Sequence, residues 1–210
     1  EMCIRDRHII KQRYFEEEIS NEVNLSYSDN QVTVTTDYPT LVYTLNSEGY
    51  ASQCVYSLSS QNRIYQFSYS AEGYLTGIVE NIDNTEYSST SLTYENGDIT
   101  SISSKMNGLE NKFIYEPGEE SSTYHLPCLG LLEIHPLTFH IEALYAGLLG
   151  KDPRHFTIRS CPAGSNDEKT IYSYEFDKKG NPSRMICQTT YAGGQASYYP
   201  YTRNISVSFE

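Results

Sequence analysis

The chain has 210 residues, carries a formal net charge of −12 at pH 7, and contains 20 tyrosines but no tryptophan. Its length suffices for one domain of ordinary size with a substantial core, and no run approaches the roughly 18 apolar residues that a membrane-spanning helix needs. The acidic balance excludes the basic patch with which a protein neutralises nucleic-acid phosphates or an anionic lipid surface, so we expect no nucleic-acid partner.

The first 21 residues are not expected to belong to the folded domain. Residues 1–7, EMCIRDR, resemble the translation of a sequencing adaptor, so we exclude them and Cys3 from fold reasoning and expect any true leader to be missing. Residues 8–21 are polar and charged, with three consecutive glutamates at 16–18, and we expect a disordered or frayed lead-in there. The predicted domain therefore spans residues 22–210.

Residues 22–115 show one hairpin after another. Apolar and polar residues alternate in residues 23–27 and 32–36, which predicts a first hairpin. In the stretch 64–80, IYQFSYSAEGYLTGIVE, the aromatics Tyr65, Phe67 and Tyr69 fall on one face of a strand, and Gly73 supplies the positive φ of a short loop. Further strands are predicted at 41–45, 52–58, 91–94, 99–103 and 112–115.

These hairpins are a repeat. Gly49, Gly73 and Gly97 follow one another at intervals of 24 residues, and the positions that hold aromatics before Gly73 hold Leu, Tyr and Leu before Gly49. The same offsets from Gly180 give Tyr, Tyr and Phe. Asn96 before Gly97 is a strong signal for a type I′ turn.

A long insertion at about 117–169 interrupts the repeat, starting from Glu116-Pro117-Gly118. Within it, apolar residues at helical spacing along LTFHIEALYAGLLG predict one short helix over residues 137–149, and residues 161–167 are expected to be a loop. Strands then resume at 170–176 and 183–189. A last hairpin is predicted from residues 195–201 and 204–209, with its turn across residues 200–203.

The predicted fold class is mainly β. We expect a single, strongly curved antiparallel meander of about ten or more strands, forming a half or closed barrel around the one short helix. Because the inward positions are Tyr and Leu and the outward ones Ser, Thr and Glu, we expect a soluble domain with its apolar side turned inward.

Three pieces of the sequence carry a resemblance to a known family. Hairpin units such as FSYSAEGYLTGI and YEFDKKGNPSRM, combined with LYAGLLGK and above all AGLLGK at residues 146–151, resemble a Bacteroidota family of cell-envelope proteins, often lipoproteins, of unknown function. The hairpin motif is shared with YD-type wall repeats. The resemblance covers residues 23–210 and implies a porin-like fold, export from the cytoplasm and often a lipid anchor, whose leader and cysteine this sequence lacks. It implies no known activity.

Cysteine and histidine do not predict a metal site, a cofactor or an active site. Outside the adaptor-like segment the cysteines are Cys54, Cys128, Cys161 and Cys187; none forms a CxxC motif, three disulfide pairings stay open, and Cys54 and Cys187 are expected to be buried thiols. Four histidines in or beside the insertion, His125, His135, His140 and His155, have no i, i+4 pair that could share a metal. We expect His140 at the helix surface or the edge of the core, with its ring satisfied. Cys128 with His125 or His135 lacks a third, orienting group.

The candidate ligand-binding residues lie in the loop YAGGQASYYPY, in which four tyrosines surround glycines and a proline. Exposed aromatic rings of this kind stack on sugars, so Tyr191, Tyr198, Tyr199 and Tyr201 are the candidates, with edge tyrosines that finish the sheet as the alternative. We expect a non-catalytic, extracytoplasmic binding or structural module whose partner is a glycan or another envelope protein. The alternative is a hydrolase or metal-dependent enzyme with its site in the 117–169 insertion.

Overall fold

A single antiparallel meander organises the chain. The structure, a computed structural model, describes residues 8–14, 17–35, 40–58, 61–121, 134–165, 167–176, 178, 182–190 and 201–204. Within them, fourteen strands form one sheet in consecutive order. The strands are β1 His8–Tyr14, β2 Glu17–Ser28, β3 Gln31–Thr35, β4 Thr40–Leu45, β5 Ala51–Leu58, β6 Gln61–Tyr69, β7 Leu75–Ile82, β8 Thr85–Glu95, β9 Asp98–Met106, β10 Leu109–Ser121, β11 His155–Pro162, β12 Lys169–Phe176, β13 Pro182–Thr190 and β14 Tyr201–Asn204.

The predicted fold class is confirmed. Each strand pairs with the next one along the chain, and no hydrogen-bonded ladder joins β14 to β1 among the described residues, although the two strands lie close to each other. The sheet therefore curves without being closed. Its turns follow the sequence signals: Asn96 and Gly97 have φ values of +53° and +89°, and Gly73 has a φ of +91°.

The core fills the concave side of this sheet. Inward and outward positions alternate along each strand, so that Tyr65 and Phe67 of β6 are buried while Gln66 and Ser68, which follow them, are exposed. The buried residues of β2 to β10 and of β12 and β13 form one continuous cluster with Leu144 and its neighbours from the insertion. The sheet thus wraps around the helical segment, as predicted.

The helix is shorter than the sequence predicts. A 3₁₀ turn covers Leu137–Phe139, and α1 covers only Ile141–Tyr145. The reason is Gly147, which adopts a φ of +70° and donates its N–H to the carbonyl of Leu144, while Leu148 donates to Ala143. These two bonds form a Schellman motif, which ends a helix at a left-handed glycine. No helix in the described part of the chain is long and apolar enough to span a bilayer.

The insertion is also shorter than predicted, because it ends before β11. Residues 155–162 pair with β10 on one side and β12 on the other, so the expectation that residues 161–167 are all loop is wrong at its start. β10 runs on past Pro117 to Ser121, with register shifts on both sides of the proline. A proline that lacks an N–H is tolerated at such a bulge.

Both ends of the chain differ from expectation as well. Residues 8–14 and 17–21, expected to be frayed, form β1 and the start of β2, and β14 occupies residues 201–204, where a turn was predicted. A strand at the edge of a sheet needs only its backbone groups to extend the ladder, so a polar and charged sequence can pair there. The strands predicted at 195–200 and 205–209 lie outside the described residues.

The segment after α1 crosses the tips of the repeated hairpins. Leu148 accepts a hydrogen bond from Ala51, Lys151 donates to the carbonyl of Gly73, and Arg154 donates to that of Gly97. Adjacent hairpins are about 9.6 Å apart, which three residues of extended chain span. Each hairpin of 24 residues in the sheet therefore corresponds to three residues of the crossing segment. This segment covers one end of the concavity.

Candidate functional site

A buried carboxylate stands on the concave face. Glu80 of β7 is fully buried, and the register places it opposite Tyr65 of β6 and opposite Ser88 of β8. One carboxylate oxygen accepts hydrogen bonds from Arg63 at 3.0 Å and from the Tyr65 hydroxyl at 3.1 Å. The other accepts from Ser88 at 2.8 Å and lies 2.7 Å from Nε2 of His135. Four side chains thus converge on one buried acid.

These contacts keep Glu80 ionised. Burial alone raises the pKa of a carboxyl group, but the hydrogen bonds from His135, Ser88 and Tyr65 and the charge of His135 outweigh it, so that the pKa of Glu80 lies below its usual value. Arg63 remains close by and is about one fifth exposed. The buried charge is therefore compensated by an ion pair and by hydrogen bonds, as a buried acid requires.

His135 joins this cluster to the insertion. Its backbone carbonyl accepts a hydrogen bond from Thr90 of β8 at 3.1 Å and a longer one from Ser104 of β9 at 3.4 Å. Its ring packs edge to face against Phe139, with the ring centroids 5.6 Å apart. Backbone and ring are thus both fixed, and the side chain is still 28% exposed.

A cavity of about 260 Å³ lies beside His135, between the insertion and strands β9 to β12. The polar part of its lining is Ser104, Asn111, His135, Ser160, Thr170 and Tyr172. Phe113, Tyr115 and Ile134 contribute apolar surface, together with two further apolar side chains. The cavity is therefore amphipathic, with hydroxyl, amide and imidazole groups next to aromatic rings.

His140 is not where the sequence suggested. It is completely buried, with Nδ1 2.8 Å from the Tyr43 hydroxyl and its ring edge-on to Tyr65 and Phe67. Nε2 has no hydrogen-bond partner among the described residues. The expectation of a satisfied ring at the helix surface or core edge is wrong. Burial lowers the pKa of His140 to about 3, so the ring is neutral.

A second histidine–carboxylate pair lies at the opposite end of the concavity. His155 bonds to the Asp98 carboxylate through both its backbone N–H and its ring Nδ1, each at 2.8 Å. The backbone bond makes this pair part of the contact between the hairpin tips and the segment that crosses them. No group of three or more His, Cys, Asp or Glu side chains suited to a metal ion occurs among the described residues.

The site predicted from sequence is largely outside the described residues. Tyr191, Tyr198 and Tyr199 lie there, and so do His125 and Cys128. Tyr201 is the first residue of β14, where its backbone is paired with Cys187. The role of the four candidate tyrosines therefore stays a prediction. Cys54 and Cys187 are buried, as predicted.

Sequence reasoning missed the Glu80 cluster, although a signal was available. The alternation that places Tyr65 on the inward face of β6 also places Arg63 there, two residues earlier, and it places Glu80 two residues after the inward Ile78. A charged residue on the apolar face of a strand is costly unless it has a partner. Such residues were therefore candidates for a buried polar cluster.

Comparisons with known proteins agree with this fold. A family model described as a domain of unknown function (DUF4595) with porin-like fold matches residues 4–184. Among solved structures, a porin-like protein from Bacteroides uniformis is similar, with 26% sequence identity and a TM-score of 0.78. The match covers 94% of this chain and 81% of that chain. No curated protein matches this chain.

Proposed function

Since this chain belongs to the family of domains of unknown function with a porin-like fold, we propose that it is a non-catalytic binding module of the bacterial cell envelope. In this proposal the ligand occupies the cavity between the insertion and strands β9 to β12. The observation that carries it is the cavity itself, because a space of about 260 Å³ lined by both polar and aromatic groups is what small-ligand sites provide.

The hydrogen bonds of the histidines support a binding role over catalysis. His135, His140 and His155 each bond through the ring to a carboxylate or a phenol, namely to Glu80, Tyr43 and Asp98 in that order. None of these rings is paired with a serine or cysteine that it could activate as a nucleophile. Burial raises the pKa of the Cys54 thiol to about 12, which keeps it in the unreactive thiol form.

The location and the partner are parts of the same proposal. The porin-like family and a similar protein from Bacteroides support a place outside the cytoplasm of a Bacteroidota cell. In this proposal the domain is built of YD-like hairpin repeats, and a lipid anchor holds it at the membrane. The net charge of −12 supports a partner other than nucleic acid, with a glycan or another envelope protein as the candidates.

The test is ligand-induced stabilisation of the full chain, with two tryptophan variants as a matched pair. Asn111 and Lys112 are adjacent, exposed residues of β10, but only Asn111 lines the cavity. We expect some glycans, peptidoglycan fragments or other small molecules to raise the melting temperature of the wild type and of Lys112→Trp, and to have no effect on Asn111→Trp. Ligands that stabilise all three proteins equally, or none of them, contradict the proposal.

A second candidate function, hydrolysis, rests on the Glu80–His135 pair. A carboxylate that holds one nitrogen of an imidazole orients the ring as a general base, which is the arrangement of many hydrolases. Chromogenic esters and glycosides test this candidate directly. Turnover that is lost in both His135→Gln and Glu80→Gln would favour an enzyme, and no turnover in the wild type contradicts this candidate.

A further inference from the structure

The lining of the cavity indicates the chemical class of its ligand. None of the described residues that line the cavity is Asp, Glu, Lys or Arg, and the Glu80 carboxylate beside His135 is already occupied by its own four partners. A charged ligand would leave its charge without a counter-ion in a partly buried space, which is unfavourable. The chemistry therefore favours an uncharged ligand.

The polar groups of the cavity are mostly hydroxyls, which both donate and accept hydrogen bonds. Ser160 is bonded to the Tyr172 hydroxyl at 2.9 Å, and Thr170 to Thr189 at 3.1 Å. The hydroxyls of Ser160 and Thr170 each have capacity for a further bond. The ring of Phe113 adds an apolar face beside them. A polyhydroxylated ring has the complementary surface, with hydroxyls at its edge and C–H groups on its faces.

The volume limits the size of the ligand. At about 260 Å³ the cavity is slightly smaller than the roughly 300–1,000 Å³ of sites that hold drug-sized molecules. A single sugar ring or a polyol of similar size fits this limit, and a long oligosaccharide could place no more than one of its rings inside.

His135 supplies a fixed hydrogen-bonding group at the wall of the cavity. Because the ionised Glu80 can only accept, the proton at their 2.7 Å contact belongs to Nε2 of His135. The other ring nitrogen, Nδ1, makes no hydrogen bond with any described residue, and a hydroxyl can pair with it whether it donates or accepts. Glu80 therefore acts as a positioning residue, which sets the orientation of the His135 ring.

We propose that the cavity binds a small uncharged polyol of the monosaccharide class, and that Nδ1 of His135 forms a hydrogen bond with one of its hydroxyls. This inference rests on the proposed function of the same cavity. It goes further by committing to the ligand class and to the recognition residue.

The experiment is isothermal titration calorimetry on the full chain with three sets of probes. These are neutral monosaccharides (glucose, galactose, mannose, fucose and N-acetylglucosamine), their charged analogues glucuronate and glucosamine, and aliphatic alcohols and fatty acids. We expect a neutral sugar to bind best. His135→Phe keeps a ring but removes its hydrogen-bonding nitrogens and should weaken binding about tenfold. Asn111→Trp should abolish binding, and Lys112→Trp should leave it unchanged.

The outcomes separate this inference from the proposed function. If only a charged or aliphatic probe binds, and Asn111→Trp blocks it, the binding function stands and the sugar inference is overturned. If a neutral sugar binds equally well to His135→Phe and to the wild type, the assignment of His135 is overturned. If no probe binds in a way that depends on residue 111, both proposals fail. Circular dichroism and the melting temperature of each variant establish that it is folded before titration.

Discussion

Replacing Glu80 with glutamine should destabilise the protein through the buried cluster. Glutamine keeps the shape of the side chain but removes the charge that Arg63 pairs with, and it offers one oxygen instead of two to the four surrounding groups. Ser88 and His135 can each reverse their role in a hydrogen bond, so the main loss is the charge-assisted part. We expect the free energy of unfolding to fall by about 2 kcal/mol in Glu80→Gln and by about 4 kcal/mol in Glu80→Ala, which leaves Arg63 unpaired.

Urea denaturation at pH 7 measures this effect, with Glu86→Gln as the control. Glu86 is an exposed residue of the neighbouring strand β8, and the same substitution there should change the free energy of unfolding by less than about 0.5 kcal/mol. For a chain of this size a loss of about 2 kcal/mol lowers the melting temperature by about 4–8 °C. Equal stability of Glu80→Gln and Glu86→Gln would refute the reasoning.

The advantage of the wild type over Glu80→Gln should also depend on pH. The pKa of Glu80 is lowered in the folded state, so its contribution is fully present above the unfolded value of about 4.3. It is lost as the pH falls through the lower, folded value. Denaturation at pH 7, 5 and 3 should therefore show the two proteins converging only in acid, and a constant difference at all three pH values would contradict the assigned charge.

Three further predictions use other parts of the fold. A Cβ at Gly150, where φ is +89°, would lie 2.7 Å from a backbone carbonyl, whereas a Cβ at Gly108, where φ is +77°, meets nothing within 4 Å. In urea denaturation, the free energy of unfolding should therefore fall by about 1–3 kcal/mol more in Gly150→Ala than in Gly108→Ala. Equal losses in the two variants would contradict the close approach. Burial holds the pKa of His140 at about 3. As the pH falls from 6.5 to 4, the free energy of unfolding of the wild type should therefore decrease by about 1.4 kcal/mol per pH unit more than that of His140→Gln. Parallel stability curves for the two proteins would argue against a neutral ring. Iodoacetamide should alkylate the half-buried Cys161 before the buried Cys54, whose pKa is raised to about 12; peptide mass spectrometry that finds the reverse order would contradict the packing.

The hairpins could be predicted from the sequence because their signals are local. The alternation of Tyr65, Phe67 and Tyr69 fixes which face of β6 is buried, and the Asn96-Gly97 turn fixes where β8 ends. Both signals lie within a few residues of the structure that they determine. The paired strands at residues 8–21 gave no comparable signal, because the ladder there is made by backbone groups alone.

The helix shows how a local signal can be outweighed by another. Apolar residues at helical spacing continue from α1 through Leu148, but Gly147 ends the helix by taking the left-handed conformation. The Leu148 carbonyl therefore lies outside the helix, where it accepts a hydrogen bond from the N–H of Ala51 in β5. The sequence shows both the spacing and the glycine, and only the tertiary contact decides between them.

The repeat shows the limit of sequence reasoning more clearly. The 24-residue spacing of Gly49, Gly73 and Gly97 was visible, and so was the AGLLGK motif at residues 146–151. Their relation was not, since it depends on the distance between neighbouring hairpins. Gly73 and Gly97 each offer a carbonyl to the crossing segment, which links the motif to the repeat physically.

The cavity lies where the insertion no longer packs against the concave face of the sheet. On β4 and β6 the inward residues are Tyr43, Tyr65 and Phe67, which pack against His140 and form part of the apolar core. Across β9 and β11 the inward positions include Ser104 and Ser160 instead. The Ser104 and Ser160 hydroxyls are hydrogen-bonded to neighbouring groups, and each keeps capacity for a further bond toward the cavity.

A space with hydroxyls in its wall is suited to a ligand that forms hydrogen bonds. About 260 Å³ gives room for several water molecules, each of which needs hydrogen-bonding partners in the wall. A ligand displaces such waters without loss only if its own groups reproduce their hydrogen bonds, which a hydroxyl does and an alkyl chain does not. The hydroxyls of the inward residues on β9 to β12 and the fixed ring of His135 therefore favour a ligand that carries hydroxyl groups over a plain alkyl chain.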